Sequence, residues 1–501
     1  MDVLPNLLLG FQTALLPANV FYCFVGALLG TLIGVLPGIG PTATIAMLLP
    51  ITFSLSPESA LIMLAGIYYG AQYGGSTTAI LINLPGEASS VVTAIDGYQM
   101  ARQGRAGRAL AIAAIGSFAA GTVATVIIAV AAQPLTDIAL QFGPTEYFSL
   151  IVLGLISSVA LAHGSVVKAL AMIVLGLVFG LVGTDISTGV FRFTFGFFEL
   201  TEGLNVVAIA VGLFGISEIL RNLEGGTERT VTTEKVTGLM PSRSDLRAST
   251  GPILRGTAIG SALGILPGGG AMLSSFASYA VERRLSKTPE LFGKGAIAGV
   301  AGPEAANNAG AQTSFIPMLT LGIPSNAVMA LMIGAMIIQG IVPGPSVITA
   351  QPALFWGLIA SMWIGNLMLL LLNLPLVGLW VKLLTIPYFA LFPAIIVFSA
   401  VGVYSVNSSV FDLYVVSFFG LLGYALYKLD CEPAPFLLGF ILGPMLEEYL
   451  RRTMVLSRGD PSVFVTSPIS AVILALAALV LVLLALPALA RKRKEVFVEE
   501  S

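Results

Sequence analysis

Residues 30 to 43 read GTLIGVLPGIGPTA and residues 260 to 273 read GSALGILPGGGAML. In each, an apolar run that would otherwise continue as a helix is cut by Pro-Gly. Proline removes a backbone hydrogen bond and clashes with the preceding turn, at a cost of about 3 kcal/mol, and glycine loosens the chain further. The surroundings raise that cost. Of 501 residues 56% are hydrophobic and 10% charged, against about 25% charged in a soluble protein. Apolar segments long enough to cross a hydrocarbon core recur at Val20 to Val35, Leu110 to Ala132, Ser149 to Leu161, Val166 to Val182, Val206 to Leu220, Leu354 to Leu374, Phe389 to Val403, Tyr414 to Leu426 and Ile469 to Ala488. With broken segments included, roughly 10 to 14 membrane elements are expected, in an all-α polytopic membrane protein.

Composition also excludes. A net charge of −2, with basic residues confined to a few loops, makes no case for nucleic acid. Two cysteines, Cys23 and Cys431, are too few for a disulfide framework or a metal site. The start, MDVLPNLLLG, lacks a basic region, so no cleaved signal peptide is expected. Neither Pro-Gly stretch carries the Lys-Ser/Thr of a nucleotide loop.

The two copies divide the chain. At a 230-residue offset they share Gly30/Gly260, Gly34/Gly264, Leu36/Leu266, Pro37/Pro267, Gly38/Gly268 and Gly40/Gly270, and the same offset pairs Glu218, Leu220 and Arg221 with Glu448, Leu450 and Arg451. A duplication is the simplest reading. It gives a first membrane repeat at 1–220, a cytoplasmic linker at 221–251, a second repeat at 252–460, a C-terminal transmembrane helix at 461–490 and a cytoplasmic basic/acidic tail at 491–501. A second break follows in each half, Leu84-Pro85-Gly86 in TTAILINLPGE and Ile323-Pro324-Ser325 in TSFIPMLTLGIPSN, with a small shift of register.

Loop charge supplies orientation, because Lys and Arg concentrate in short cytoplasmic loops. In the first half, 55–59 has no basic residue and 97–108 has three; in the second, 282–294 has four and 341–352 none. Equivalent loops therefore face opposite sides, as in the inverted-topology repeats of secondary transporters. Arg451, Arg452 and Arg458 run against this pattern.

Broken backbone survives at membrane depth only where it is buried in protein or lines a cavity. Half-helix N-termini suit a carboxylate and unwound carbonyls suit Na⁺. The substrate-site candidates are accordingly Pro37, Gly38, Gly40, Pro85, Gly86, Pro267, Gly268, Gly270, Pro324 and Ser325, with Ser76, Thr77, Thr78, Asn83, Asn308, Gln312, Thr313 and Ser314 as polar ligands and Gln72 and Asn326 beside them. Taken singly, each polar residue also reads as a helix–helix hydrogen bond. Gly26, Gly30 and Gly34, four apart, read as close helix packing. Gly38, Gly268, Glu304 and Asn307 are candidates for the coupling ion; Glu304 reads equally as a proton carrier and as a helix cap at the cytoplasmic surface. Glu87 and Asp96 read as loop geometry, and His163 with Lys168 as a polar turn.

The stretches GTLIGVLPGIGPTATIAMLLPITF, YYGAQYGGSTTAILINLPGEASSVVTAIDGYQMARQGRAGRAL, GSALGILPGGGAMLSSFASYAVERRLSKTPELFGKGAIAGVAGPEAANNAGAQTSFIPMLTLGIPS and LGPMLEEYLRR closely resemble the large membrane subunit of bacterial tripartite tricarboxylate transporters. The resemblance runs over nearly the whole chain, with Ser325 standing where many relatives have glycine. It implies a multi-pass permease of the bacterial cytoplasmic membrane, not an enzyme, that works with a small membrane subunit and a periplasmic solute-binding protein. It also implies cation-driven uptake of citrate or another organic carboxylate, with Na⁺ or H⁺ as coupling ion and no other cofactor. A homodimer and an elevator motion follow by analogy alone. The rival readings are a self-sufficient cation/carboxylate symporter, a membrane-embedded enzyme, for which no Gly-x-Ser-x-Gly stretch is present, and a channel.

Overall fold

A computed structural model of the chain describes residues 3–36, 40–83, 86–161, 165–185, 187–224, 238–266, 270–383 and 388–485. Pro37, Gly38, Pro85, His163, Pro267, Gly268 and the 491–501 tail lie outside them. The first half comprises α1 (Val3–Ala14), α2 (Pro17–Gly34), α3 (Pro41–Thr52), α4 (Pro57–Ile82), a 3₁₀ turn at Ala88–Ser90, α5 (Val91–Met100), α6 (Ala106–Ala139), α7 (Pro144–Leu161), α8 (Val166–Gly180), α9 (Val206–Ala210) and α10 (Ser217–Glu224). The second comprises α11 (Arg243–Ile265), α12 (Gly270–Leu285), α13 (Ala298–Thr313), α14 (Phe315–Leu321), α15 (Ala327–Ile338), α16 (Val347–Ala350), α17 (Pro352–Asn373), α18 (Val377–Leu383), α19 (Tyr388–Asn407), α20 (Val410–Lys428), α21 (Pro433–Leu456), α22 (Val463–Thr466) and α23 (Pro468–Ala485). Two-residue strands β1 (Gly183–Thr184) and β2 (Phe191–Arg192) pair antiparallel in the loop after α8.

Among the described residues five helices are long and apolar enough to cross a membrane, and six shorter apolar helices accompany them. Val130, Leu371, Leu421 and Leu479 leave apolar side chains exposed on α6, α17, α20 and α23. Such outward-facing surface belongs against lipid, since a water-soluble chain would cover it.

The glycines of the opening motif set the closest packing in each half. A Cβ on Gly26, Gly30 or Gly34 of α2 would strike the backbone of Met63, Ile67 or Ala71 on α4. A Cβ on Gly256, Gly260 or Gly264 of α11 would strike Gly302, Ala306 or Gly310 on α13. Small residues allow this backbone approach, so the four-residue spacing is packing, as read. Its equivalences also fix the register of the second break. Met63 answers to Gly302 and Ala71 to Gly310, an offset of 239 rather than 230. By that offset Asn83, the left-handed residue ending α4, answers to Gly322, the left-handed residue ending α14, and Pro85-Gly86 answers to Pro324-Ser325. Most of the extra residues lie between α12 and α13, joined by the twelve residues 286–297 where α3 and α4 are joined by the four residues 53–56.

α11 and α12 pack side by side as a helical hairpin. Arg255 on α11 donates through Nε and Nη2 to the Glu282 carboxylate on α12, at 2.8 and 2.6 Å. These residues stand nearly equidistant from the break, so α12 runs back along α11. The polar stretch before it is partly helical: Ser242 and Asp245 form a capping box that starts α11 at Arg243.

Loops gather by charge. Gln103 Nε2 donates to the Lys294 carbonyl at 2.8 Å and Arg105 Nη2 to that of Gly295 at 3.0 Å. Asp96 Oδ1 accepts from the backbone N–H groups of Gly293, Gly295 and Ala296 at 2.8–2.9 Å, and its Oδ2 accepts from the Tyr279 hydroxyl at 3.0 Å. The two basic loops, 97–108 and 282–294, thus share one end of the molecule. At the other end Gln339 Nε2 donates to the Thr52 carbonyl at 3.0 Å, which joins the two loops without basic residues. Arg451, Arg452 and Arg458 lie toward this second end. The first two are offset in place: Arg451 pairs with Glu447 and Asp185, and Arg452 with Glu448.

Candidate functional site

The α13 sequence GPEAANNAGAQT places Glu304, Asn307, Asn308 and Gln312 on adjoining faces by helical spacing, and α13 packs against α4, α5 and α6 of the first half. All four are buried. Glu304 is the centre of the contact. Both of its carboxylate oxygens accept from the Ser76 hydroxyl of α4 at 2.8 Å, Oε1 accepts from Thr93 of α5, and Oε2 from Ser117 of α6 at 3.4 Å. Asn308 Nδ2 donates to Ser117 Oγ at 2.6 Å. Two turns on, Thr125 of α6 donates to Gln312 Oε1 at 2.5 Å. Nearby, Tyr73 of α4 donates to Asn366 Oδ1 of α17 at 2.8 Å.

A second carboxylate lies beside the first. Glu87 caps the 3₁₀ turn that follows the Leu84-Pro85-Gly86 break. Its Oε1 accepts from Ser89 Oγ at 2.6 Å and from Asn307 Nδ2 at 3.1 Å, and Ser89 also donates to Gln72 Oε1 at 3.2 Å. Among the described residues neither glutamate is in an ion pair. Every named partner is a neutral donor. A buried unpaired charge is costly inside a membrane, so each site must take up a proton or a cation to stay neutral. A small cavity lined by Tyr73, Ser76, Thr77, Ser117, Glu304 and Asn373 adjoins Glu304, with room for a water molecule or an unhydrated ion and not for a tricarboxylate.

The breaks lead into helix starts. α3 begins after Gly40, α12 at Gly270, the Ala88–Ser90 turn after Gly86-Glu87, and α15 after Asn326, whose Oδ1 accepts from Met329 N at 2.9 Å. The Ala88–Ser90 turn packs on α12 and α3 packs on α15, so the element that follows each half's second break meets the helix that follows the other half's first. A Cβ on Gly86 would strike the Gly34 carbonyl and Gly75. Gly270 holds φ at +52° with Asn326 beside it.

The candidate residues divide. Ser76, Asn307, Asn308 and Gln312 join the network, and Thr77 lines the cavity. Thr78 donates to Gly75 O at 2.9 Å, Thr313 to Ala309 O at 2.9 Å and Ser314 to Gly310 O at 2.7 Å, each to a carbonyl three or four residues back; Ser314 Oγ also accepts from Asn326 Nδ2 at 3.4 Å. Ser325 Oγ reaches Ser314 O at 3.4 Å, and Pro324 is buried beside it. Asn83 is exposed, and ends α4 rather than facing the network. Glu304 is not a surface helix cap: it lies inside α13 at 1% exposure. Glu87, read as loop geometry, belongs to the buried network. Thr93, Ser117, Thr125, Tyr73 and Asn366 were not singled out from sequence. Ser117 and Thr125, eight apart in an apolar span, carried a helical-spacing signal; Asn366 carried none.

Residues 20–438 match the model of the tripartite tricarboxylate transporter TctA family. The chain is 67% identical over 500 residues, all of both chains, to an uncharacterized 52.8 kDa protein in the TAR-I ttuC' 3' region of Agrobacterium vitis. It is 65% identical over 241 residues, 48% of this chain and all of the relative, to an uncharacterized protein in the TAR-II ttuC' 3' region of the same organism. No solved structure matches. The chain belongs to the tripartite tricarboxylate transporter TctA family.

Proposed function

We propose that the chain is a secondary-active uptake permease of the bacterial inner membrane, coupling entry of a tricarboxylate or other organic carboxylate to a cation gradient. A periplasmic solute-binding protein delivers the substrate, and a small membrane subunit completes the assembly. The observation that carries this reading is Glu304, a buried carboxylate of the second half held by hydroxyls from three helices of the first, with no basic partner among the described residues. Such a group alternates between charge states only as a proton or metal cation arrives and leaves, and it sits where two halves that move relative to one another would sense the change.

The halves act as inverted repeats in this reading, with the basic loops 97–108 and 282–294 cytoplasmic. Pairing of the loops end by end supports it. The substrate is held by the starts of α3 and α12, after Gly40 and at Gly270, whose N-terminal N–H groups and partial positive charge favour carboxylates. Cation entry offsets substrate charge, which matters in an interior network built without Lys or Arg among its named members.

Proteoliposomes holding both membrane subunits, with binding protein and an imposed cation gradient, test the proposal. Saturable, gradient-driven carboxylate uptake that requires the binding protein is expected. Uptake of equal rate without it would favour a self-sufficient symporter, and gradient-independent, non-saturating flux would refute coupling.

A further inference from the structure

Glu304 accounts for one buried charge; Glu87 is a second, 9% exposed, at the far side of Asn307. As a helix cap it is unusual, because a cap ordinarily keeps one side in water. Its surroundings hold an excess of acceptors. Asn307 is fully buried, its Nδ2 is committed to Glu87, and its Oδ1 has no hydrogen-bond partner. Gln72 Oε1 accepts from Ser89 alone among the hydrogen bonds of the described residues, and that hydroxyl also serves Glu87. A carboxylate, two amide oxygens and a hydroxyl oxygen therefore meet where α4, the first-half break and α13 join.

An orphaned buried amide oxygen costs roughly what a lost hydrogen bond costs. A proton on Glu87 would remove the charge yet bring one donor to several acceptors. A cation satisfies them together, and oxygen-only ligands select hard ions. One carboxylate balances one positive charge, so a divalent ion would leave a buried surplus.

We propose that Glu87, Asn307 Oδ1, Gln72 Oε1 and Ser89 Oγ form a sodium site that bridges the two halves, distinct from Glu304. Its first ligand comes from the first-half break and its second from the helix that carries Glu304. This rests on the cation-coupled reading and names the ion and its ligands. Sodium bound here would fasten the Ala88–Ser90 turn to α13, and its release would loosen that link.

The test is thermal unfolding of the purified full-length chain in detergent, without substrate, titrated with NaCl at constant ionic strength against choline, KCl and MgCl₂. A saturable rise in Tm specific to Na⁺ is expected, with binding to the native state as the cause. Glu87→Gln and Asn307→Ser should each raise the half-saturating Na⁺ concentration tenfold or more, and Asp185→Asn, far from the site, should not. Where one variant fails to accumulate, the other decides, and saturable ²²Na⁺ binding to the wild type stands independently of both. No Na⁺-specific shift and no saturable binding, or undiminished Na⁺ affinity in an accumulating Glu87→Gln or Asn307→Ser protein, would overturn the site. Proton-driven uptake indifferent to Na⁺ would remove the sodium site and leave cation-coupled uptake standing. Na⁺ stabilisation without any gradient-driven uptake would do the reverse.

Discussion

Gly34→Ala tests the packing that positions both breaks. A Cβ at residue 34 would lie 2.5 Å from the Ala71 carbonyl oxygen and 2.7 Å from its Cα. Carbon contacts settle near 3.5–4.0 Å, so α2 would have to withdraw from α4 by about 1 Å. Both obstacles are backbone, which cannot rotate away as a side chain would. Overpacking of this kind costs about 1–3 kcal/mol, and the upper part of that range is expected, since withdrawal also loosens the neighbouring Gly26 and Gly30 contacts. Gly264→Ala should match it, because its Cβ would strike Gly310 and Thr313. Gly378→Ala, with nothing within 4 Å, is the control and should change stability by no more than about 0.5 kcal/mol. Unfolding of the purified protein in mixed micelles measures all three. Gly34→Ala and Gly264→Ala variants as stable as Gly378→Ala would refute the close approach of α2 to α4 and of α11 to α13.

Three further outcomes follow from the polar contacts. Glu304→Gln keeps the shape and most hydrogen bonds, so it should fold with near wild-type stability and lose at least 90% of gradient-driven uptake, an order-of-magnitude expectation for removing an essential charge; normal uptake would exclude Glu304 from coupling. Asp96→Ala strands three backbone N–H groups and the Tyr279 hydroxyl, at about 3 kcal/mol, and hydrogen exchange at Gly293, Gly295 and Ala296 should accelerate. At the other end, Asp185 fastens the loop after α8 to Arg451. The Ser187 backbone N–H, and beyond it Thr188, Arg451 and Arg192, hold its carboxyl below the ordinary 3.8. A depressed acid contributes stability above its unfolded pKa and loses it as pH falls through the folded value. Protease resistance of residues 187–200 should therefore be flat through neutral pH and fall only below about pH 3.8, and Asp185→Asn should abolish that acid dependence.

Much of the architecture was legible because it rests on short-range rules. Apolar run length marked the membrane elements, glycine spacing at Gly26, Gly30 and Gly34 marked the packing face of α2, and the counting of Lys and Arg sorted loops that do meet in two groups. Arg451 and Arg452 lie apart from those loops, paired with Asp185, Glu447 and Glu448. Helix breaks were legible as well, for proline and glycine act on their own backbone. Their local geometry at Pro37, Gly38, Pro85, Pro267 and Gly268 lies outside the described residues.

Which polar residues share a site was not legible. The sequence by itself determined a helix-broken membrane chain, since hydrophobic length, glycine spacing and Pro-Gly cost are properties of neighbouring residues. Only the tertiary structure decided that Ser76, Thr93 and Ser117 converge on Glu304, that Glu87 meets Asn307 220 positions away, and that Thr78, Thr313 and Ser314 turn back on their own helices. A hydroxyl in an apolar helix satisfies itself equally well on the carbonyl four residues back or on a neighbouring helix. The choice is made by what packs against it.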